Sequence, residues 1–158
     1  MKSNISKVAL LQCNQYDESL IDGKIRELID LIGFDCNQFK KEKVIVKPNL
    51  LTALHPETGV VTHPLVFKVI CKIIKEHKGA PVLVESPALM KLESTLKKTG
   101  YIDVIKEEKI KVASNDKIYK LQYDKNKKYK YFEVNKELKD VSFVVNLPKF
   151  KTHGITYI

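Results

Sequence analysis

Long hydrophobic runs are missing from this sequence. Stretches such as Val8-Ala9-Leu10-Leu11 hold four residues, far below the roughly 18 that cross a bilayer, so no membrane span and no secretory core is readable. Cysteine is scarce. Cys13, Cys36 and Cys71 are odd in number and share no C-x-x-C spacing, which argues against a disulfide framework and a local metal knuckle and for a reducing, cytoplasmic setting. Arginine is almost absent: of 28 Lys+Arg, only Arg26 is arginine. Base edges and phosphates are recognised bidentately by the planar guanidinium, whereas lysine offers a point charge. The formal +9 is therefore mainly a lysine-solvated surface and weighs against nucleic acid. Signature loops are lacking too. No G-x-G-x-x-G, Walker-type G-x-x-x-x-G-K-[ST] or H-E-x-x-H occurs, and Ser86 has no G-x-S-x-G frame.

What is present suits one domain over residues 1–158, with Val, Ile, Leu and Phe gathered in dense runs rather than diluted by charge. Residues 7–12 read as a first buried strand. Leu20, Ile21, Ile25, Leu28, Ile29 and Ile32 recur at three- and four-residue steps, predicting a helix over 19–32, capped by Asp17 or Ser19 and closed at Gly33. Residues 43–47 form the next strand, followed by a long loop to Thr62. Thr62-His63-Pro64 opens a second helix, with Thr62 or His63 as cap and Pro64 in its first turn. Its apolar face is Leu65, Val66, Val69, Ile70, Ile73 and Ile74, and Gly79 ends it. Strands follow at 81–85 and 110–113, separated by short helices near 92–99 and 102–109. A last strand covers 141–147.

Alternating strands and helices, with strands apolar throughout, imply a mostly parallel α/β sheet in three layers, with helices on both faces. Right-handed crossovers put the carboxyl ends of the strands on one edge, where open sheets bind ligands. Polar clusters follow each strand there: Gln12, Cys13 and Asn14; Lys47 and Asn49; Glu85 and Ser86; Asn146, Lys149, Lys151, Thr152 and His153. The expected site is an electropositive pocket for a small anion or a metal. Lys47, Asn49, Thr62, Lys149, Lys151 and Thr152 are its ligand-binding candidates, and Glu85 and His153 its proton-transfer or metal-ligating pair. The N-terminus of the second helix adds N–H donors for the same anion. His63 has the simpler role of helix entry, while His55 and His77 read as surface histidines.

Residues 119–134 differ from the rest. Tyr119, Leu121 and Tyr123 alternate with Lys120 and Gln122, and Tyr129 and Tyr131 flank Lys130. The pattern predicts an antiparallel hairpin with one wet face, turning at 124–128. Tyrosines among lysines are also how single-stranded nucleic acid is stacked and tracked. The favoured reading is a solvated hairpin whose tyrosines pack inward.

Val46-Lys47-Pro48-Asn49-Leu50-Leu51, Val61-Thr62-His63-Pro64, Val84-Glu85-Ser86-Pro87 and Asn146-Leu147-Pro148-Lys149-Phe150-Lys151-Thr152-His153 together resemble the domain of unknown function 362 family. Many members carry a ferredoxin-type cluster module after this domain, so the resemblance implies the N-terminal part of a longer family domain. It also implies an alternative role as a docking or assembly module of an iron–sulfur redox protein. Closely spaced cluster cysteines do not occur in these 158 residues, so any such cofactor belongs to a downstream module.

Overall fold

The computed structural model describes residues 6–87, 90–122, 128 and 130–152. Helix α1 (Glu18–Ile32) starts where Asp17 accepts a hydrogen bond from the Leu20 N–H at 2.8 Å. It stops at Gly33, whose φ of 69° is the left-handed conformation that glycine adopts without a Cβ clash. Strand β1 (Lys43–Pro48) follows a 3-10 helix at Cys36–Phe39. Helix α2 (Pro64–Glu76) is capped by His63, whose Nδ1 accepts from the Leu65 N–H at 3.3 Å. It buries Phe67, Val69, Cys71, Ile73 and Ile74, at about 1.5–3 kcal/mol for each large side chain removed from water. Burial pushes the Cys71 thiol well above its ordinary range, so it acts as a small apolar group.

Gly79 lets the chain turn directly into strand β2 (Ala80–Leu83). A Cβ there would stand 2.9 Å from the Phe39 carbonyl oxygen and 2.8 Å from Ile74 Cγ2. Helices α3 (Leu92–Lys98) and α4 (Tyr101–Glu107) lead to strand β3 (Lys111–Val112). Strands β4 (Ile118–Gln122) and β5 (Tyr131–Asn135) pair antiparallel in a sheet of their own. Strand β6 (Phe143–Leu147) then returns to the main sheet, whose order is β3-β2-β1-β6 with every pair parallel.

The two faces of this sheet are covered unequally. Val44, Val46 and Leu83 point into the larger core, where they meet Ile21 of α1, Phe67 and Ile74 of α2, Leu96 of α3 and Tyr101 and Val104 of α4. Ile45, Val82, Val84 and Ala113 face the other way and are met by Leu138 and Val141. The 3-10 helix Lys136–Leu138 thus closes the side opposite the α-helices, anchored where Glu137 pairs with Lys111 at 2.7 Å and Lys43 at 3.4 Å.

One expected strand is not formed. Residues 7–12 make no ladder, and Val8 and Leu10 are 90% and 93% exposed. Both edges of β1 are already occupied, by β2 and β6, so a segment arriving earlier in the chain finds no place beside it. The antiparallel hairpin is formed as expected, although its turn and two of its tyrosines, Tyr123 and Tyr129, lie outside the described residues. The expected inward packing is not found: Tyr131, Leu121 and Phe132 are exposed, because the hairpin forms a sheet of its own away from the main core. The Tyr131 ring has Lys120 Nζ 4.5 Å above it, and Tyr119 has Lys139 Nζ at 5.5 Å. Both aromatic faces thus carry a cation from the chain itself.

Candidate functional site

Parallel pairing of β1 with β6 sets Lys47 opposite Asn146 and Pro48 opposite Leu147. The tips of these strands are therefore neighbours although about a hundred positions separate them in the chain. Past Pro48 the backbone is pinned at Thr62. The Thr62 hydroxyl accepts from the Asn49 N–H at 3.0 Å and donates to the Leu147 carbonyl at 2.6 Å. One side chain thereby ties the exits of β1 and β6 to the start of α2. The Thr62 N–H in turn donates to the Asn49 carbonyl, and the Asn49 side-chain amide donates to the Val60 carbonyl at 2.9 Å. Behind Thr62 the fully buried Tyr101 hydroxyl donates to the Thr62 carbonyl at 3.0 Å. Its burial holds that phenol protonated far above the usual range.

Glu85 follows β2 and is 7% exposed. Its Oε1 accepts from the Ser86 N–H at 2.8 Å, and its Oε2 accepts from the Leu50 N–H and from Lys47 Nζ, both at 3.2 Å. A buried carboxylate is tolerable because every oxygen has a donor, one of them charged. Lys47 stays half-exposed, with its ammonium at the rim and its partner inside.

Lys149 meets a group that the sequence did not suggest. Its Nζ donates to the Tyr16 hydroxyl at 3.0 Å, and the Tyr16 ring stacks on His63 with centroids 3.9 Å apart and planes 10° from parallel. With Nδ1 of His63 used as the helix cap, the neutral ring carries its proton on Nε2, which lies 3.7 Å from Glu57 Oε1. Burial is the main cause holding the His63 pKa below its ordinary value. The Glu57 carboxylate opposes that shift and the Lys149 ammonium adds to it.

Of the predicted site residues, Lys47 and Glu85 touch each other, and Asn49 and Thr62 touch each other. Lys149 joins Tyr16 instead. Lys151 is half-buried and Thr152 exposed, while His153 lies outside the described residues. Thr62 is not the cap of α2; His63 is. His55 caps a 3-10 helix at Pro56–Thr58, and His77 Nδ1 lies 3.3 Å from Asn37 Oδ1. Tyr16, Glu57 and Tyr101 were missed, because isolated polar or aromatic residues in loops and helix starts carry no spacing signal. Among the described residues no group of three His, Cys, Asp or Glu side chains is arranged to hold a metal ion, and no helix is long and apolar enough to cross a membrane.

The chain belongs to the family described as domain of unknown function (DUF362), whose model matches residues 44–158. It is also similar to a thylakoid-associated protein of Synechocystis sp., at 27% identity over 152 residues. That match covers 95% of this chain but 46% of the relative, so the chain spans about half the length of the curated relative it matches. No solved structure matches it.

Proposed function

We propose that the carboxyl edge of the sheet binds a small anion, a phosphate or carboxylate group, between Lys47 at the end of β1 and Lys149 and Lys151 beyond β6. The observation that carries this reading is the Lys47–Glu85 contact. A buried acid, itself held by two backbone N–H groups, fixes a half-exposed ammonium at the rim. In this reading Glu85 positions Lys47 rather than transferring protons, since both of its oxygens already accept hydrogen bonds. Asn49 and Thr62 hold the loop that carries the site. Three lysines against one buried carboxylate favour an anion over a metal ion.

The cytoplasm is the compartment we assign, supported by the buried free thiols of Cys36 and Cys71. The thylakoid association in the relative's name applies to a protein about twice as long, and the whole protein's partners belong to that longer context.

The test is calorimetric titration of the chain with inorganic phosphate, small carboxylates and divalent metals at low ionic strength. Binding of the anions is expected, with Lys47→Ala and Lys151→Ala each weakening it about tenfold, equivalent to about 1.4 kcal/mol. Metal binding without anion binding, or anion binding that neither variant affects, would overturn the proposal.

A further inference from the structure

The main sheet ends at β6, which pairs with β1 on one side and with no described strand on the other. Beside that edge is a cavity of about 260 Å³ with apolar walls, among them Ile29, Phe34, Ile70, Phe143 and Val145. An open edge over an apolar hollow is a place where another strand adds.

Residues 7–12 have strand composition, yet form no ladder. At one end, Lys7 Nζ lies 3.2 Å from where a Cβ on Gly33 would stand, and Phe34 meets Phe143 at the start of β6 with ring centroids 6.5 Å apart. At the other end, Tyr16 is bonded to Lys149, just past the end of β6. These contacts, made through the Lys7 and Tyr16 side chains, set the two ends of the stretch near the two ends of β6, so that residues 7–12 can lie along that strand in the same direction. Six residues extended span about 20 Å, enough to cover the five of β6.

Two further observations agree. Val8 and Leu10 are almost fully exposed, while Ala9 and Leu11 are half-buried. On β6, Val144 is exposed and shares a face with Ile45, whereas Phe143 and Val145 are half-buried toward α1 and α2. Period-two patterns on the two segments match when Val8 and Leu10 lie beside Val144 and the alternate residues face α1. Handedness fits as well. The β1–α2–β2 crossover moves away from β6 with its helix on the larger-core face, and α1 packs into that same core. A strand outside β6, followed by α1 and then β1, makes a crossover of the same hand.

We propose that residues 7–12 add to the free edge of β6 within the same chain, as a fifth parallel strand giving the order β3-β2-β1-β6 and then the N-terminal segment. The step brings Gln12, Cys13 and Asn14 to the carboxyl edge beside Lys149, with the Tyr16–Lys149 bond as its fixed end. It stands whether or not that edge binds an anion.

Amide hydrogen exchange on the chain tests it. Slow exchange is expected for 7–12 and for β6 in the same concentration-independent process. Consecutive N–H groups of a strand point to opposite edges. One of the two substitutions Ala9→Pro and Leu10→Pro should therefore raise exchange in β6 about tenfold or more, by deleting a ladder donor, and the other should not. Neither should alter exchange in β1, which also reports that the variants fold. Unprotected 7–12 amides, equal effects of the two prolines on β6, or protection that grows with protein concentration would overturn the proposal, the last by showing pairing between two copies.

Discussion

Lysines serve two different purposes on the two flanks of this domain. On the helical flank they are neutralised. Lys68 is 12% exposed at its side chain and pairs with Glu18 at 2.8 Å and Glu107 at 2.7 Å. Lys72 shares Glu18, Lys75 pairs with Glu108, and Arg26 holds Asp22 and Glu76. At the carboxyl edge the balance is reversed: Lys47 has one buried acid, Lys149 has a phenol, and Lys151 forms no ion pair among the described residues. Ion pairs that tie α1 to α2 and α2 to α4 stabilise packing. Cations left in excess at one rim concentrate positive potential where an anion can approach. Net charge alone does not distinguish these roles, since each lysine adds the same +1.

The comparison breaks most sharply at Glu85. Replacing it with Ala leaves the Leu50 and Ser86 N–H groups and Lys47 without their common acceptor, and should cost about 3 kcal/mol in chemical denaturation. A loss under about 1 kcal/mol would mean the rim ammonium is not held from inside. On the helical flank Glu18→Gln should cost about 1 kcal/mol or less at pH 7, because Glu18 itself and its partner Lys72 are partly solvated. That loss should shrink in high salt.

The same carboxylate sharpens the contrast through pH. Hydrogen bonds from Lys68 and then Lys72 hold the Glu18 pKa below its ordinary 4.5, and hydrogen bonds from Lys111 and Lys43 lower that of Glu137. A depressed folded pKa contributes stability that is fully present above the unfolded value and is lost as pH falls through the folded one. Stability should therefore hold above about pH 5 and decline below 4.5, and Glu18→Gln should flatten that decline. The smallest expected effect is at the rim, where Lys151→Ala should change stability by less than about 0.5 kcal/mol while weakening phosphate binding.

Much of the fold could be read from periodicity. Apolar residues at three- and four-residue steps marked α1 and α2. Asp17 and Gly33 bounded the first helix, and dense β-branched runs marked β1, β2 and β6. Residues 7–12 have the same composition as those strands and were read the same way, but composition does not say which edge of a sheet is vacant. At the site, Lys47, Asn49 and Glu85 were recognisable as polar residues at strand ends, and Thr62 as part of a helix opening. Their pairings were not, because the Glu85–Leu50 and Thr62–Leu147 bonds run from side chain to backbone across 35 and 85 positions. No spacing rule encodes a backbone partner. Tyr16 illustrates the extreme: its contacts with His63 and Lys149 exist only because α2 begins where β6 ends.

Sequence alone settled the alternation of strands and helices from α1 onward, the hairpin of β4 and β5 and the polarity of the strand ends, since these follow from local propensity and from which residues avoid water. Tertiary structure decided that β6, last in the chain order of strands, takes the place beside β1. It also decided which lysines meet acids and which remain at the rim, because pairing depends on distances that only the packed sheet defines.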